Sequence, residues 1–374
     1  MVQRAIETII NRQFFKGKAI VITGPRQSGK TTLLKQIASK SEFPALVLAC
    51  DEPEVRSILA NSNLQRLRSL VGRHKLVLID EAQRVKNIGL TLKLMVDLMP
   101  DIQLLITGSS SLDLAGKISE PLTGRMFEYH LYPFSSQELA LSVNRLAEQQ
   151  SLEKRLIYGS YPQVIMLSGQ EKSCLLHLTG NRLYSDVLAY SDIRKPAQLE
   201  SLLISLALQV GNEVSYHQLA QTIQADSKTV ERYIHLLEQS FIVFKLSAFS
   251  RSLPNEIKKG KKVYFYDNGI RNAILQNFSP LNLRQDASAL WENYVVSERQ
   301  KANHYQRHFA DSFFWRTFQR QKIDLIEETD GTLIAYALRW RQQNQAKLPA
   351  TFIAAYPDHE FHIIDRTNYL NFLM

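Results

Sequence analysis

Gly24-Pro25-Arg26-Gln27-Ser28-Gly29-Lys30-Thr31 is the stretch on which the reading of this chain turns. It fits G-x-x-x-x-G-K-[ST] in full. Ahead of it, Ala19 to Thr23 (AIVIT) is a short apolar run bounded by glycine, the pattern of a buried strand. Behind it, Lys30 to Ser39 has the pattern of a helix. Such a loop closes backbone N–H groups around phosphate oxygens, and the helix that follows aims its N-terminus at the anion. Lys30 adds a cation at the β- and γ-phosphates, and the Thr31 hydroxyl is placed to bind magnesium. ATP with Mg2+ is the expected ligand. Its expected contacts are Gly24, Pro25, Arg26, Gln27, Ser28, Gly29, Lys30, Thr31 and Thr32.

Further strands read outward from the loop at Ala45 to Ala49, Leu76 to Asp80 and Gln103 to Thr107, with helical patterns between them, notably Ile88 to Met99. Strands alternating with helices predict a parallel sheet with helices on both faces. The third strand ends Leu76-Val77-Leu78-Ile79-Asp80-Glu81. Read alone, an Asp-Glu pair after a strand is a solvated turn. About fifty residues beyond a phosphate loop it reads instead as Asp80 in the magnesium shell and Glu81 orienting the attacking water. The fourth strand runs into Thr107-Gly108-Ser109-Ser110. Ser109 is a candidate γ-phosphate sensor, the alternative being a serine cap on the next helix. Arg125, in Leu122-Thr123-Gly124-Arg125, is either an arginine finger acting on a neighbouring subunit or an ion-paired surface arginine. The first reading carries a homo-oligomer, of which a ring is one form.

At 374 residues, the chain has room for two to four domains. Hydrophobic residues at 45% and charged residues at 22% exclude wholesale disorder. The formal net charge of +9 favours acidic partners such as nucleic acid or anionic membrane, the alternative being a solvated basic surface. Two cysteines, Cys50 and Cys174, exclude a disulfide framework or a cysteine zinc site and fit a reducing cytoplasm. Met1 to Phe15 is interrupted by Arg4, Glu7 and Arg12, unlike a signal peptide, and runs such as Leu202 to Val210 are too short to span a bilayer. A cytoplasmic protein without a membrane partner is expected.

From Ser135 the pattern turns helical, with Ser135 and Glu138 as a capping box. Near residue 211 a compact unit begins. Tyr216 to Ile223, a turn at Gln224 to Asp226, and Ser227 to Gln239 make a helix-turn-helix pattern, with Asp226 or Ser227 as cap. Strand-like runs follow at Phe241 to Phe249 and Lys262 to Tyr266. Lys228 and Arg232 on the second helix suit contacts with phosphates and base edges. Arg251, Lys258, Lys259, Lys261 and Lys262 gather around the hairpin against Glu256 alone. This is an electrostatic footprint for DNA, the alternative being a protein-docking module with a solvated basic loop.

Taken together these stretches resemble a known family. The carrying residues are Gly24 to Thr32, Leu78-Ile79-Asp80-Glu81-Ala82-Gln83, Thr107-Gly108-Ser109-Ser110, Gly124-Arg125 and Pro133-Phe134-Ser135. They continue with Gly159-Ser160-Tyr161-Pro162, Tyr264-Phe265-Tyr266-Asp267-Asn268-Gly269 and Leu290-Trp291-Glu292-Asn293-Tyr294-Val295. The chain is similar, colinearly over nearly its whole length, to bacterial and archaeal AAA-type ATPases whose P-loop domain precedes a conserved C-terminal domain of unknown function. The resemblance implies an α/β fold: a parallel-sheet P-loop ATPase core at 1–135, a helical lid at 136–205, a winged helix-turn-helix at 206–279 and a restriction-endonuclease-like domain at 280–374. In nuclease-like relatives that last domain holds a metal through an Asp and a Glu-x-Lys. Here Asp324 is present with Glu292 nearby in the pattern, but Ala337 and Arg339 stand at the Glu and Lys positions. Alanine cannot ligate, and arginine is no substitute for lysine. Strand-like segments at Phe313 to Thr317, Lys322 to Glu327 and Leu333 to Trp340, behind a helix around Leu290 to Lys301, complete that part. The expected function is an ATPase acting on DNA with a degenerate nuclease-like domain. A nucleotide-switched scaffold and an ATP-dependent nuclease are the alternatives.

Overall fold

A computed structural model describes residues 2–108, 118, 120–180, 187, 193, 195–251, 260–341 and 346–374. Two compact units divide the chain, Met1–Pro133 with Gln239–Phe241, and Phe134–Glu238 with Ile242–Met374.

The first unit is built on five parallel strands: β1 (Ala19–Thr23), β2 (Ala45–Ala49), β3 (Leu76–Asp80), β4 (Gln103–Gly108) and β5 (Met126–His130). Their order is β2-β3-β4-β1-β5. β1, β3 and β4 are buried along their whole length, which is why they read as unbroken apolar runs rather than alternating ones. Helix Ile88–Leu98 packs on the sheet through Ile88, Leu92 and Met95 against Val77, Ile79, Leu104 and Ile106, and helix Lys30–Lys40 buries Leu33, Leu34 and Ile37. The predicted bounds of β1, β2 and β3 agree with those observed. The edge strand β5 was not anticipated, because Met126-Phe127-Glu128-Tyr129-His130 mixes polar and apolar residues. Registers such as Ile22 beside Thr107 and Ile79 beside Ile106 bring the carboxyl ends of β1, β3 and β4 to one edge. In open α/β sheets ligands bind outside those ends.

The second unit opens with the capping box. The Ser135 hydroxyl accepts from the Glu138 N–H, and the Glu138 carboxylate accepts from the Ser135 N–H. Short helices follow at Ser136–Ser142, Arg145–Gln150, Leu152–Tyr158, Pro162–Met166, Glu171–Leu178 and Pro196–Leu208, then Tyr216–Thr222 and Ser227–Gln239. A mixed six-stranded sheet runs β11-β10-β9-β8-β6-β7. Its members are β6 (Val243–Ala248), β7 (Lys261–Phe265), β8 (Asp311–Arg316), β9 (Lys322–Thr329), β10 (Thr332–Leu338) and β11 (His359–Ile364). The 20-residue helix Ala287–Gln306 packs on it through Trp291, Tyr294 and Val295, against Tyr264, Phe314, Leu325 and Tyr369.

This sheet crosses the division drawn at 279/280 from the sequence. β6 and β7 form the expected hairpin, yet β6 also pairs with β8 in parallel, and the Phe249 N–H donates to the Phe314 carbonyl at 2.7 Å. An edge strand leaves a row of unpaired backbone groups, and β8 removes that edge.

Candidate nucleotide site and the carboxylates of the C-terminal sheet

β1 ends at Thr23 and the phosphate loop begins at once. Gly24 has φ +153°, and a Cβ there would lie 2.2 Å from the Leu131 carbonyl oxygen, so the close approach of the loop to the segment after β5 requires glycine. Gly29 has φ +98° and caps the helix Lys30–Lys40 in a left-handed conformation that only glycine adopts at little cost. Within the loop, the Ser28 hydroxyl and the Gln27 side-chain oxygen are buried without a hydrogen bond. Buried polar atoms of this kind are ordinarily satisfied, so they are fitted to a polar ligand. The Lys30 ammonium, itself buried, donates to the carbonyls of Gly24 at 2.8 Å and Pro25 at 2.9 Å.

The acids sit opposite. Asp80, at the end of β3, accepts from the Thr31 hydroxyl at 2.7 Å and from the Thr107 hydroxyl. Both donors are neutral, so the carboxylate charge is left unmatched by them. Its neighbour Cys50 responds: burial first, then the charges of Asp80, Asp51 and Glu81, push the thiol up to about 12. Glu81 takes a left-handed φ of 53°, its N–H donates to the Thr107 hydroxyl at 3.2 Å, and its carboxylate accepts from the Gln83 amide at 2.5 Å. Thr31, Asp80 and Glu81 are therefore brought together as expected. Ser109 lies outside the described residues. Thr107 was quoted in the sequence only as a strand end, yet it bridges both acids.

Arg4 was not anticipated at all. It is buried, and its guanidinium donates to the carbonyls of Ser28 at 2.8 Å and Tyr132 at 2.5 Å, bracing the loop from behind. The Thr23 hydroxyl meets His130 Nδ1 at 2.7 Å, and burial holds that imidazole down to about 4, neutral at pH 7.

Arg125 stands at the opposite edge of the sheet. Met126 pairs with Ala19, so Arg125 lies about 15–20 Å along the strand direction from the loop. There Arg125 Nε bonds Asp97 at 2.6 Å. It does not reach the nucleotide end of its own sheet.

The expected cations of the helix-turn-helix region separate. Lys228 and Arg232 are exposed on helix Ser227–Gln239, and the Asp226 carboxylate caps that helix by accepting from the Thr229 N–H at 2.7 Å. Arg251 is ion-paired with Glu328. Lys261 lies half-buried over the Tyr216 ring. Lys258 and Lys259 fall outside the described residues. Lys262 is a correction: its side chain is buried, 2.7 Å from Glu292 and over the Phe314 ring, so it faces the protein rather than solvent.

That pairing fills the first half of the C-terminal carboxylate site. Glu292 accepts from Lys262 and from the Tyr264 hydroxyl, each at 2.7 Å. Asp324 fills the second half, accepting at one oxygen from the Leu338 N–H at 3.0 Å and Arg339 at 2.7 Å. The register that sets Leu325 opposite Tyr336 puts Ala337 opposite Asp324. Both carboxylates line a cavity of about 340 Å³ together with Arg339. Among the described residues no group of three or more His, Cys, Asp or Glu could hold a metal ion.

Other motifs of the resemblance meet in one buried polar joint. The Asp267 carboxylate accepts from the Ser160 N–H at 2.7 Å, and Asn293 bonds the Phe265 carbonyl at 3.0 Å and Asn268 at 2.6 Å. A Cβ on Gly269 would lie 2.2 Å from the Tyr158 carbonyl oxygen. These residues join helices and strand ends.

Comparison with known families agrees with this geometry. An AAA domain matches residues 16–140, a domain of unknown function (DUF8612) residues 149–281, and a second domain of unknown function (DUF4143) residues 287–369. By these matches the chain carries an AAA-type P-loop ATPase domain followed by two domains of unknown function. This ATPase is 26% identical over 340 residues to an uncharacterised protein of Mycobacterium tuberculosis, covering 88% of the chain and 72% of the relative. It is 27% identical to one from Haemophilus influenzae over 67% of the chain and 68% of the relative. The Walker-type ATPase of Pyrococcus abyssi shares the fold, with a TM-score of 0.50 at 15% identity over 74% of this chain and 96% of that one. Among the described residues no helix is long and apolar enough to cross a membrane.

Proposed function

We propose that this ATPase couples magnesium-dependent ATP hydrolysis to DNA binding or remodelling. The observation that carries the first half is the Asp80 carboxylate, bonded by the Thr31 and Thr107 hydroxyls and matched by neither. A bound magnesium nucleotide would supply the reactive phosphoanhydride and the Lewis acid. Thr31 and Asp80 are the residues that would hold the ion, and Lys30 with the loop N–H groups would hold the phosphates. Glu81, kept in place by Gln83, orients water for attack. Arg125 serves only a neighbouring copy, because its own phosphate loop is at the far edge of the sheet. Light scattering with a non-hydrolysable analogue tests that: a monomer with and without nucleotide would remove the ring and the trans-acting arginine together.

DNA as the partner rests on a winged-helix arrangement. Helices Tyr216–Thr222 and Ser227–Gln239 are followed by the β6–β7 hairpin, and the Val214 N–H donates to the Lys261 carbonyl at 2.9 Å beside an isolated bridge between Glu213 and Lys262. Lys228, Arg232 and His235 are exposed on the second helix, and Lys195 with Arg232 lines a cleft of about 540 Å³ in front of it. One observation favours the scaffold reading instead: Glu231 is exposed between Lys228 and Arg232, and Asp226 occupies the helix N-terminus. ATPase rates with and without duplex DNA, together with the salt dependence of binding for Lys228→Glu with Arg232→Glu, decide between them. Stimulation by DNA and a flattened salt slope support DNA; no stimulation and no salt-sensitive binding support the scaffold.

A further inference from the structure

We propose that Arg4 is a positioning residue of the nucleotide site: by holding the Ser28 carbonyl from behind the phosphate loop, its guanidinium turns the Gly29 N–H toward the phosphates. The inference rests on the nucleotide reading above and deepens it, by naming what keeps the loop in its binding shape.

The loop does not hold that shape by itself. Gln27 at φ 60° and Gly29 at φ 98° are both left-handed, one on each side of Ser28. Backbone in that region persists only where its surroundings fix it. Lys30 fixes one side, bonded to the Gly24 and Pro25 carbonyls, but Lys30 is also the cation offered to the phosphates. Arg4 works from the other side. Its Nη1 donates to the Ser28 carbonyl at 2.8 Å and its Nη2 to the Tyr132 carbonyl at 2.5 Å, which ties the loop to the segment after β5. In a trans peptide the C=O and the N–H point in opposite directions. A Ser28 carbonyl held toward Arg4 therefore sends the Gly29 N–H away from Arg4, into the loop. Gly29 is the N-cap of helix Lys30–Lys40, so that N–H is one of the helix-end donors that receive an anion.

Arg4 is itself held in place. It stands directly before the seven-residue helix Ala5–Asn11, which is too short to be stable alone. Tertiary contacts anchor that helix. Ile6 and Ile10, one turn apart, are fully buried. Glu7, also buried, pairs with Lys40 at 2.6 Å, and Lys40 is the last residue of the helix that follows the loop. The N-terminal segment thus grips that helix at its end and the loop at its beginning. A guanidinium is costly to bury, and Arg4 is only 4% exposed. Its planar fork meets two carbonyls at a fixed angle, which a lysine ammonium does not. It also lies close against the loop, with Nη1 3.8 Å from where a Cβ on Gly29 would stand.

The test measures binding of magnesium ADP and of a non-hydrolysable ATP analogue by calorimetry. It compares wild type, Arg4→Met and Arg4→Lys, with melting temperatures taken without nucleotide. Arg4→Met keeps most of the side chain's length and loses its donors. It is expected to weaken both nucleotides by the same factor of about tenfold, the worth of one N–H bond to a phosphate. The factor is shared because the loop N–H groups cradle the α- and β-phosphates, which both nucleotides carry. In turnover the loss should appear in KM, with kcat falling by less than about threefold. Arg4→Lys keeps the charge without the fork and should fall between Arg4→Met and wild type. A role in packing alone would lower the melting temperature and leave the affinity of the folded protein within about twofold of wild type, and that result overturns the inference. So does a loss confined to the ATP analogue, which would place the effect at the γ-phosphate. If Arg4→Met does not fold, Arg4→Lys decides: a loss of about threefold or more for both nucleotides supports the inference, and a smaller one overturns it. Wild type that binds neither nucleotide removes the ATPase reading and the inference with it. Wild type that binds, with variants that bind as well, removes the inference alone.

Discussion

Asp80 and Asp324 are both buried aspartates on strands, and their partners make them opposites. Asp80 is bonded by the Thr31 and Thr107 hydroxyls, which orient its oxygens without neutralising them. Asp324 is bonded by Arg339, and its companion Glu292 by Lys262, so each charge is already matched within the chain. A charge left in a low-dielectric site attracts a cation strongly, whereas an ion pair formed internally leaves little to attract one. In the proposed function the same residue type holds magnesium in one sheet, while in the other it is paired within the chain.

The comparison breaks most visibly at Glu81. Glu81→Gln should still bind ATP but lower kcat by about a hundredfold or more, because the amide cannot act as the water-orienting base. Lys30→Ala should lose nucleotide binding itself. Turnover of Glu81→Gln at the wild-type rate would show that the acids at the end of β3 are as inert as those of the second sheet.

His130 sharpens the contrast by pH. Its imidazole, held at about 4 against an ordinary 6.5, is buried neutral beside Thr23. The unfolded chain binds the proton more readily between those values, so stability is fully present above about pH 6.5 and is lost as the pH falls toward 4. The loss should reach about 3 kcal/mol, read by chemical denaturation across that window. His130→Phe should flatten the curve.

Arg339→Ala takes from buried Asp324 its closer cation, leaving Lys322 at 3.5 Å, and should destabilise the chain by about 1–3 kcal/mol. The purified ATPase should meanwhile leave plasmid and single-stranded DNA uncut with magnesium or manganese. Cutting that disappears in Asp324→Ala would show that the second carboxylate site is alive. The smallest effect belongs to Asp97→Ala: the half-exposed pair with Arg125 should contribute less than about 1 kcal/mol to melting stability.

The contrast also marks what could be read from the chain alone. The loop, β1 and β3, and the capping box at Ser135 were legible because local chemistry dictates them: apolar runs, glycines at positive φ and a Ser-x-x-Glu spacing. Asp80 and Glu81 were legible by their place after a buried strand. What escaped depends on pairings distant in sequence. Arg4 was read only as a charge interrupting the apolar N-terminus, yet the loop that it braces lies 24 residues away. Lys262 looked like one of a solvated basic run until Glu292, 30 residues on, claimed it. The β6–β8 pairing that joins the hairpin to the C-terminal strands left no local trace, since parallel neighbours need no turn between them.

The most direct test of the contrast counts bound manganese by electron paramagnetic resonance in the presence of a non-hydrolysable ATP analogue. A single nucleotide-dependent ion per chain is expected, lost in Asp80→Asn and retained in Asp324→Asn. Manganese that persists in Asp80→Asn, or that disappears in Asp324→Asn, would contradict the assignment of the metal to the first sheet.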